Sequence, residues 1–298
     1  MPWLTYVCHR LPMSHNVSDI QLKRVVIEPG SVEMNYWRDI WNYRSLFYFL
    51  AWRDVLVRYK QTVIGIAWSV LRPLLTILIF WFVGWLFNLP DEGVPRVLLV
   101  TAAMLPWQFF SSAFSESANS LIANSNLLSK VYFPRIIVPA STVIVSLVDF
   151  FISLAILIVV MLVLQFTPGW QMLLLPAFLL LAIITSLGTG LLIAALNVKY
   201  RDFRYLVPFI VQFGLYVSPV AFSSNSIYSH PDIHEAFKFI YAMNPMVGVI
   251  DGFRWCITGG QIQLQTLPFI FSVSISLLFF FIGIRYFRKT EKSFADFI

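Results

Sequence analysis

Long apolar runs, separated by short polar stretches, dominate the pattern of this chain. The first occupies 66–89, broken only by Arg72-Pro73 near its start, and ends in the turn-forming Pro90-Asp91-Glu92-Gly93. Further runs occupy 97–114, 136–166, 172–196, 205–222 and 267–287, the third and fourth joined by Thr167-Pro168-Gly169. About 20 apolar residues in helical form cross the hydrocarbon core of a bilayer. The pattern therefore predicts an all-α polytopic membrane protein with six transmembrane helices. Ahead of the first run, Trp52, Val55, Leu56 and Tyr59 recur at i, i+3, i+4 and i+7, with Arg53, Asp54, Arg58, Lys60 and Gln61 on the opposite side. This is an amphipathic interface helix, lying on the inner leaflet or packed on another protein surface. Between the fifth and sixth spans, 223–266 is too long for a turn and carries two short-helix patterns. One starts near Pro231-Asp232; the other has Asn244 as N-cap, Pro245 at the first helical position and Gly259-Gly260 as its stop. These external helices either cap the outer surface or dip into the membrane.

Composition strengthens the membrane assignment. Of 298 residues, 58% are hydrophobic and only 12% charged, against about 25% charged in a soluble domain; the mean hydropathy is +0.75. Lipid is the main solvent. Of the 21 Lys and Arg, all but Arg96, Lys238 and Arg254 fall in segments that this topology puts on one side: 1–72, 130–135, 199–204 and 285–292. Positive residues gather on the cytoplasmic side, so both ends are expected in the cytoplasm. The apolar stretch 3–7 is too short for the h-region of a signal peptide. The formal charge of +6 is thus accounted for by topology and by contact with anionic membrane lipids, and no nucleic-acid partner is called for. Cys8 and Cys256 fall on opposite sides and cannot pair within one chain; there is no Cys/His cluster with zinc spacing.

The chain lacks the spacings of catalytic machinery. His9, His15, His230 and His234 form no His-Glu-x-x-His, and neither Gly-x-Ser-x-Gly nor the phosphate loop Gly-x-x-x-x-Gly-Lys-Ser/Thr is present. ATP hydrolysis by that route is excluded for this chain alone. Asp91, Glu92, Asp232, Glu235 and Asp251 are the external acids that a membrane glycosyltransferase would need, but they are scattered, and loop and cap roles explain them. Within the spans Asp149 stands alone as an ionisable side chain, where charge is expensive. It shares a stripe with Thr142, Ser146 and Ser153, at i, i+4, i+7 and i+11. Such a stripe bonds helix to helix or serves a function; no second carboxylate or histidine is at hand for a proton relay. In the fifth span Pro208, Gln212, Tyr216 and Pro219 follow at spacings of four, four and three, which suits a helix lining an aqueous or polymer path. Trp81 and Trp85 sit four apart near the outer end of the first span, and Trp107, Phe109 and Phe110 follow Pro106 in the second. Such aromatics anchor at interfaces or pack, and the same flat faces stack on sugar rings.

Four stretches stand in a recognisable order. They are Trp37-Arg38-Asp39-Ile40-Trp41 with Trp52-Arg53-Asp54 and Arg58-Tyr59-Lys60-Gln61-Thr62-Val63-Ile64-Gly65-Ile66-Ala67-Trp68; Lys130-Val131-Tyr132-Phe133-Pro134-Arg135; Tyr200-Arg201-Asp202-Phe203 followed by Ser218-Pro219-Val220; and Asn244-Pro245 with Phe253-Arg254. From about residue 35 to its end the chain resembles the permease subunits of type-2 ABC exporters for polysaccharides, which move O-antigen, capsule and teichoic acid precursors. The resemblance implies the type-2 ABC transporter permease fold in the bacterial cytoplasmic (inner) membrane. It divides the chain into an N-terminal cytoplasmic extension (1–35), an interface helix region (36–65), a six-helix transmembrane domain (66–287) and a cytoplasmic tail (288–298). It also implies a homodimer with a pore at its interface and two separate nucleotide-binding subunits beneath, which bind ATP and Mg; this chain binds no cofactor. A coupling helix within 118–133 would insert into the ATPase, with Lys130, Tyr132, Phe133, Arg135, Arg53 and Arg58 as the coupling residues. A lipid-linked glycan would pass Trp81, Trp85, Trp107, Phe110, Gln212 and Tyr216. Two alternatives remain: export of drugs or lipids by the same fold, and a membrane glycosyltransferase.

Overall fold

In lipid every backbone polar group must be satisfied inside its own segment, so helices are the expected elements. The computed structural model describes residues 36–60, 65–87, 93–200, 202–292 and 294, and these contain helices and no strand. The extension 1–35 with Cys8, the motif residues Gln61-Thr62-Val63-Ile64, the turn residues Pro90-Asp91-Glu92 and Arg201 lie outside the described residues.

Two helices precede the membrane part, α1 (Tyr36–Asn42) and α2 (Arg44–Lys60). The long ones are α3 (Gly65–Leu86), α4 (Arg96–Ala123), α6 (Ile137–Val163), α7 (Leu175–Lys199, entered through a 3₁₀ turn at Trp170–Leu174) and α12 (Thr266–Glu291). These supply five stretches long and apolar enough to cross a membrane. Shorter helices are α5 (Ser125–Leu128), α8 (Phe203–Val217), α9 (Ser224–Tyr228), α10 (Glu235–Ala242) and α11 (Pro245–Ile257). The fifth expected span, 205–222, is helical only as α8, whose 15 residues reach about 22 Å, short of the roughly 30 Å core. It stops where Ser218 turns extended ahead of Pro219, which cannot continue the hydrogen-bond ladder.

The second span runs further than its apolar run. α4 continues past Phe114 to Ala123, so the separate cytoplasmic helix expected within 118–133 resolves into the last turns of α4, the single turn α5 and a loop. α4 is also the hub, touching α3, α6, α7, α8 and α11. Small residues let its neighbours approach closely: Ala102, Ala103 and Ala113 are completely buried. α7 and α12 cross backbone to backbone at Gly188 and Gly283, and Thr185 Oγ1 donates to Ser276 Oγ across the same contact at 3.0 Å.

α11 begins and ends as its sequence signals require. Asn244 accepts from the Met246 N–H at 3.0 Å, and Gly259 and Gly260 adopt φ of +64° and +82° at its stop. It is packed into the bundle: Met246, Val247, Ile250, Phe253, Cys256 and Ile257 are buried, and the helix contacts α4, α7 and α12. The helix expected from Pro231-Asp232 starts instead at Glu235, where His234 accepts from the Ala236 N–H at 3.2 Å.

Candidate functional site: a charged cavity and the loop at 130–135

Residues from both sides of α2 turn inward: Leu50 and Ala51 are buried, and Arg58 and Tyr59 face α4 and α6. The apolar residues Trp52, Leu56 and Val57 of the same helix are exposed, while Arg58 reaches Glu116 of α4 at 2.5 Å and Asp149 of α6 at 2.8 Å. Tyr59 donates its hydroxyl to the same Asp149, which also accepts from Ser69 of α3 at 3.2 Å. Asp149 therefore does not stand alone. A second carboxylate, Glu116, lies just beyond the apolar run 97–114, and Arg58 bridges the two acids. Burial opposes the charge on Arg58, but the two carboxylates outweigh it and raise its pKa. Burial, together with the hydrogen bond to Asp149, pushes the Tyr59 phenol up to about 12.

This node stands where two cavities meet. One, of about 600 Å³, is walled by Ser69, Arg72 and Pro73 of α3, Gln108, Ser112 and Glu116 of α4, Asp149 and Ser153 of α6, and Val211 of α8. The other, of about 830 Å³, lies along Arg53 and Asp54 of α2 and Asn119 and Asn124 at the end of α4. Both are lined by Arg58, Ser115 and Glu116. The stripe on α6 divides between the two readings it allowed: Ser146 donates to Ser112 at 3.2 Å, bonding helix to helix, whereas Asp149 and Ser153 face the cavity. Arg53 ties α2 to the end of α4 through Asn124 at 2.9 Å.

The loop after α5 places its aromatics differently. Tyr132 is 53% exposed, but Phe133 is buried with Leu121, Leu128, Phe287 and Phe294, so it anchors the loop and offers no surface. Lys130 is exposed, and Arg135 is half-buried against the end of α12. Of the residues expected along a substrate path, Trp81, Trp85, Gln212 and Tyr216 are exposed on α3 and α8. Trp107 and Phe110 are in the core of the chain, in ring contact with each other, Phe110 stacked on Phe114. Their rings are enclosed by the chain's own helices and reach no surface.

Two of the recognised motifs meet on the far side of α4. Arg254, buried, donates to the carbonyls of Val220 at 3.1 Å and Phe222 at 2.8 Å, and Asn244 Nδ2 donates to Ser218 Oγ at 3.1 Å. The segment that ends α8 is thus held by α11.

Residues 45–258 match the ABC-2 type transporter family. The chain belongs to that family. Among similar proteins are two from Klebsiella pneumoniae named O-antigen export system permease protein RfbA. One is 27% identical over 248 residues and the other 26% over 245, each match covering 82% of this chain and 91% of the relative. A protein of the same name from Myxococcus xanthus is 25% identical over 261 residues, 87% of this chain and 97% of the relative. Within this ABC-2 chain the family match runs from α2 to just past α11, so it includes the Arg58 node and the loop at 130–135; α12 lies beyond it.

Proposed function

We propose that this chain is the channel-forming permease subunit of an ATP-driven exporter that moves a lipid-linked polysaccharide, such as O-antigen or capsule, across the bacterial cytoplasmic membrane. The observation that carries the proposal is the likeness to O-antigen export permeases over nine-tenths or more of their length and over four-fifths or more of this chain. Two copies of the chain form the pore, and two separate subunits bind and hydrolyse ATP with Mg, since the phosphate loop is absent here. Support for a second copy comes from α3 and α8, which flank α4 with uncovered faces. Gln212 is exposed in α8 among Phe209, Phe213 and Tyr216, and an amide is better placed against a partner or a water-filled path than against lipid. α8 and the residues after it make the sixth crossing, and the one-sided Lys and Arg put both ends in the cytoplasm. The exposed Trp52 and Leu56 of α2 rest on the inner leaflet.

Deletion of the gene should leave the lipid-linked glycan inside the cell and strip it from the surface, with restoration by the intact gene. A deletion strain with normal surface glycan and a new sensitivity to drugs would move the assignment to the drug or lipid exporters. Glycan synthesis that stops altogether, with nothing accumulating, would point to a transferase.

A further inference from the structure

Residues 131–134 have little backbone bonding of their own. The N–H groups of Lys130 and Val131 bond back to Leu127, and Ile137 bonds to Pro134, so the stretch between is shaped from outside. Beside the burial of Phe133 near Leu121 and Leu128, support comes from the cytoplasmic end of α12. Glu291 Oε1 accepts the backbone N–H of Arg135 at 2.6 Å, and Oε2 accepts the Tyr36 hydroxyl of α1 at 2.8 Å. The Arg135 guanidinium returns to the carbonyl of Glu291 at 2.8 Å and lies 5.7 Å from the ring of Phe294. Phe294 is completely buried and meets Phe287 edge-on at 5.4 Å. A cavity of about 360 Å³ is walled by 128–133, Arg135 and Phe294.

The position of Glu291 argues against a role in α12 itself. It is the last residue of that helix, where a negative charge opposes the macrodipole and a basic residue is favoured. Its carboxylate is stabilised by what it holds, the loop at Arg135 and the N-terminal helix at Tyr36. Phe294 likewise lies beyond the end of the helix, yet it is buried under the same loop. We infer that the end of α12 positions the coupling loop: Glu291 and Phe294 hold 130–135 in the shape that presents Lys130 and Tyr132. The inference rests on the proposed function, in which this loop meets the ATPase.

The full chain with its ATPase subunit, in lipid nanodiscs, tests it through Glu291→Ala and Phe294→Ala. Trypsin cleavage after Lys130 and Arg135 should rise about five-fold, because cleavage tracks the population of the opened loop, while cleavage after Lys238 stays at the native rate. Glycan export should fall by a similar factor with the ATPase subunit still co-purifying at its native ratio. Unchanged cleavage at the loop overturns the inference. So does equal acceleration at all three sites, which marks a general loosening, and so does local loosening with export at the native rate. Should the unaltered chain export no glycan, the transporter proposal fails by itself, and proteolysis of the chain alone still decides whether α12 holds the loop.

Discussion

Arg58 owes its place to charge balance. Its side chain and that of Glu116 are each 32% exposed, and that of Asp149 22%, so water screens the pairs in part. Removing the guanidinium still leaves two carboxylates facing one cavity. Arg58→Ala is expected to destabilise the protein by about 1–3 kcal/mol, less than for a fully buried pair, and to lower the Tm in detergent. The triple variant Arg58→Ala, Glu116→Gln, Asp149→Asn should recover most of that loss, because neither carboxylate is left without its guanidinium; a triple variant no more stable than the single one contradicts the bridging role. Tyr59 adds a pH dependence. An ordinary phenol ionises near pH 10, and this one is pushed up to about 12 by burial and by Asp149. Its contribution is complete below pH 10, where the unfolded chain also holds the proton. It is lost as pH rises towards 12, because the unfolded chain ionises first. Tyr59→Phe should therefore flatten the loss of stability between about pH 10 and 12, and an unchanged alkaline slope would refute it. The loop aromatics separate in the same way. Tyr132→Ala should insert and assemble normally but lower export per ATP hydrolysed, whereas Phe133→Ala should lower the amount of folded protein, by roughly 3–5 kcal/mol for a buried Phe. Membrane levels that fall for Tyr132→Ala and not for Phe133→Ala would reverse the assignment.

At the scale of elements, α7 and α12 provide the sharpest test. A Cβ on Gly283 would lie 2.1 Å from the carbonyl oxygen of Gly188, and one on Gly188 would lie 2.5 Å from the Cα of Phe280. Backbone cannot give way as a side chain does, so Gly283→Val should cost more than the 1–3 kcal/mol typical of overpacking, on the order of several kcal/mol. It should be seen as loss of full-length protein from the membrane fraction; native levels would show that the two helices are not pressed together there. Neither glycine stands out in sequence, because an apolar run reports where a helix runs and not which of its residues touch another backbone. The same limit explains what was and was not legible elsewhere. The long helices followed from hydropathy, and α11 followed from Asn244, Pro245 and the two glycines. The extension of α4 did not, because Ser115, Ser117, Asn119 and Ser120 look like loop. Inside the bundle Ser120 and Asn119 bond back to their own helix, at 2.8 Å each, and keep it going. The two faces of α2 were plain from the helical wheel, but that Arg58 of one and Tyr59 of the other both turn inward depended on Glu116 and Asp149, residues far away in the chain. Glu291 and Phe294 looked like a charged tail for the same reason.

For the molecule as a whole, orientation and the polymer path follow from different evidence. The one-sided distribution of Lys and Arg predicts that an external, membrane-impermeant thiol reagent labels Asn225→Cys and not Asn126→Cys; the opposite pattern inverts the topology. In the proposed pore the path depends on how two copies meet. A single chain fills its own centre with α4, packing Trp107 and Phe110 inside, so a long hydrophilic polymer has no route through it except along a face. Uncovered faces occur on several helices, and among them those of α3 and α8 carry Trp81, Trp85 and Tyr216, 42%, 61% and 68% exposed. A path for a repeating polymer needs weak contacts that recur, since a site gripping one sugar would stall the next. Aromatic faces supply contacts on the order of 1 kcal/mol each. Replacing Trp81, Trp85 and Tyr216 together by Ala is therefore expected to slow export severalfold, with the dimer and its ATPase subunits still assembling. Bulky polar replacements such as Arg at the same positions should block the path. The measurement is the rate at which labelled glycan leaves inverted vesicles' outer leaflet for their lumen at fixed ATP. A triple Ala variant that exports at the native rate, from vesicles holding equal amounts of assembled complex, removes these three residues from the path while leaving the membership of the chain in its transporter family untouched.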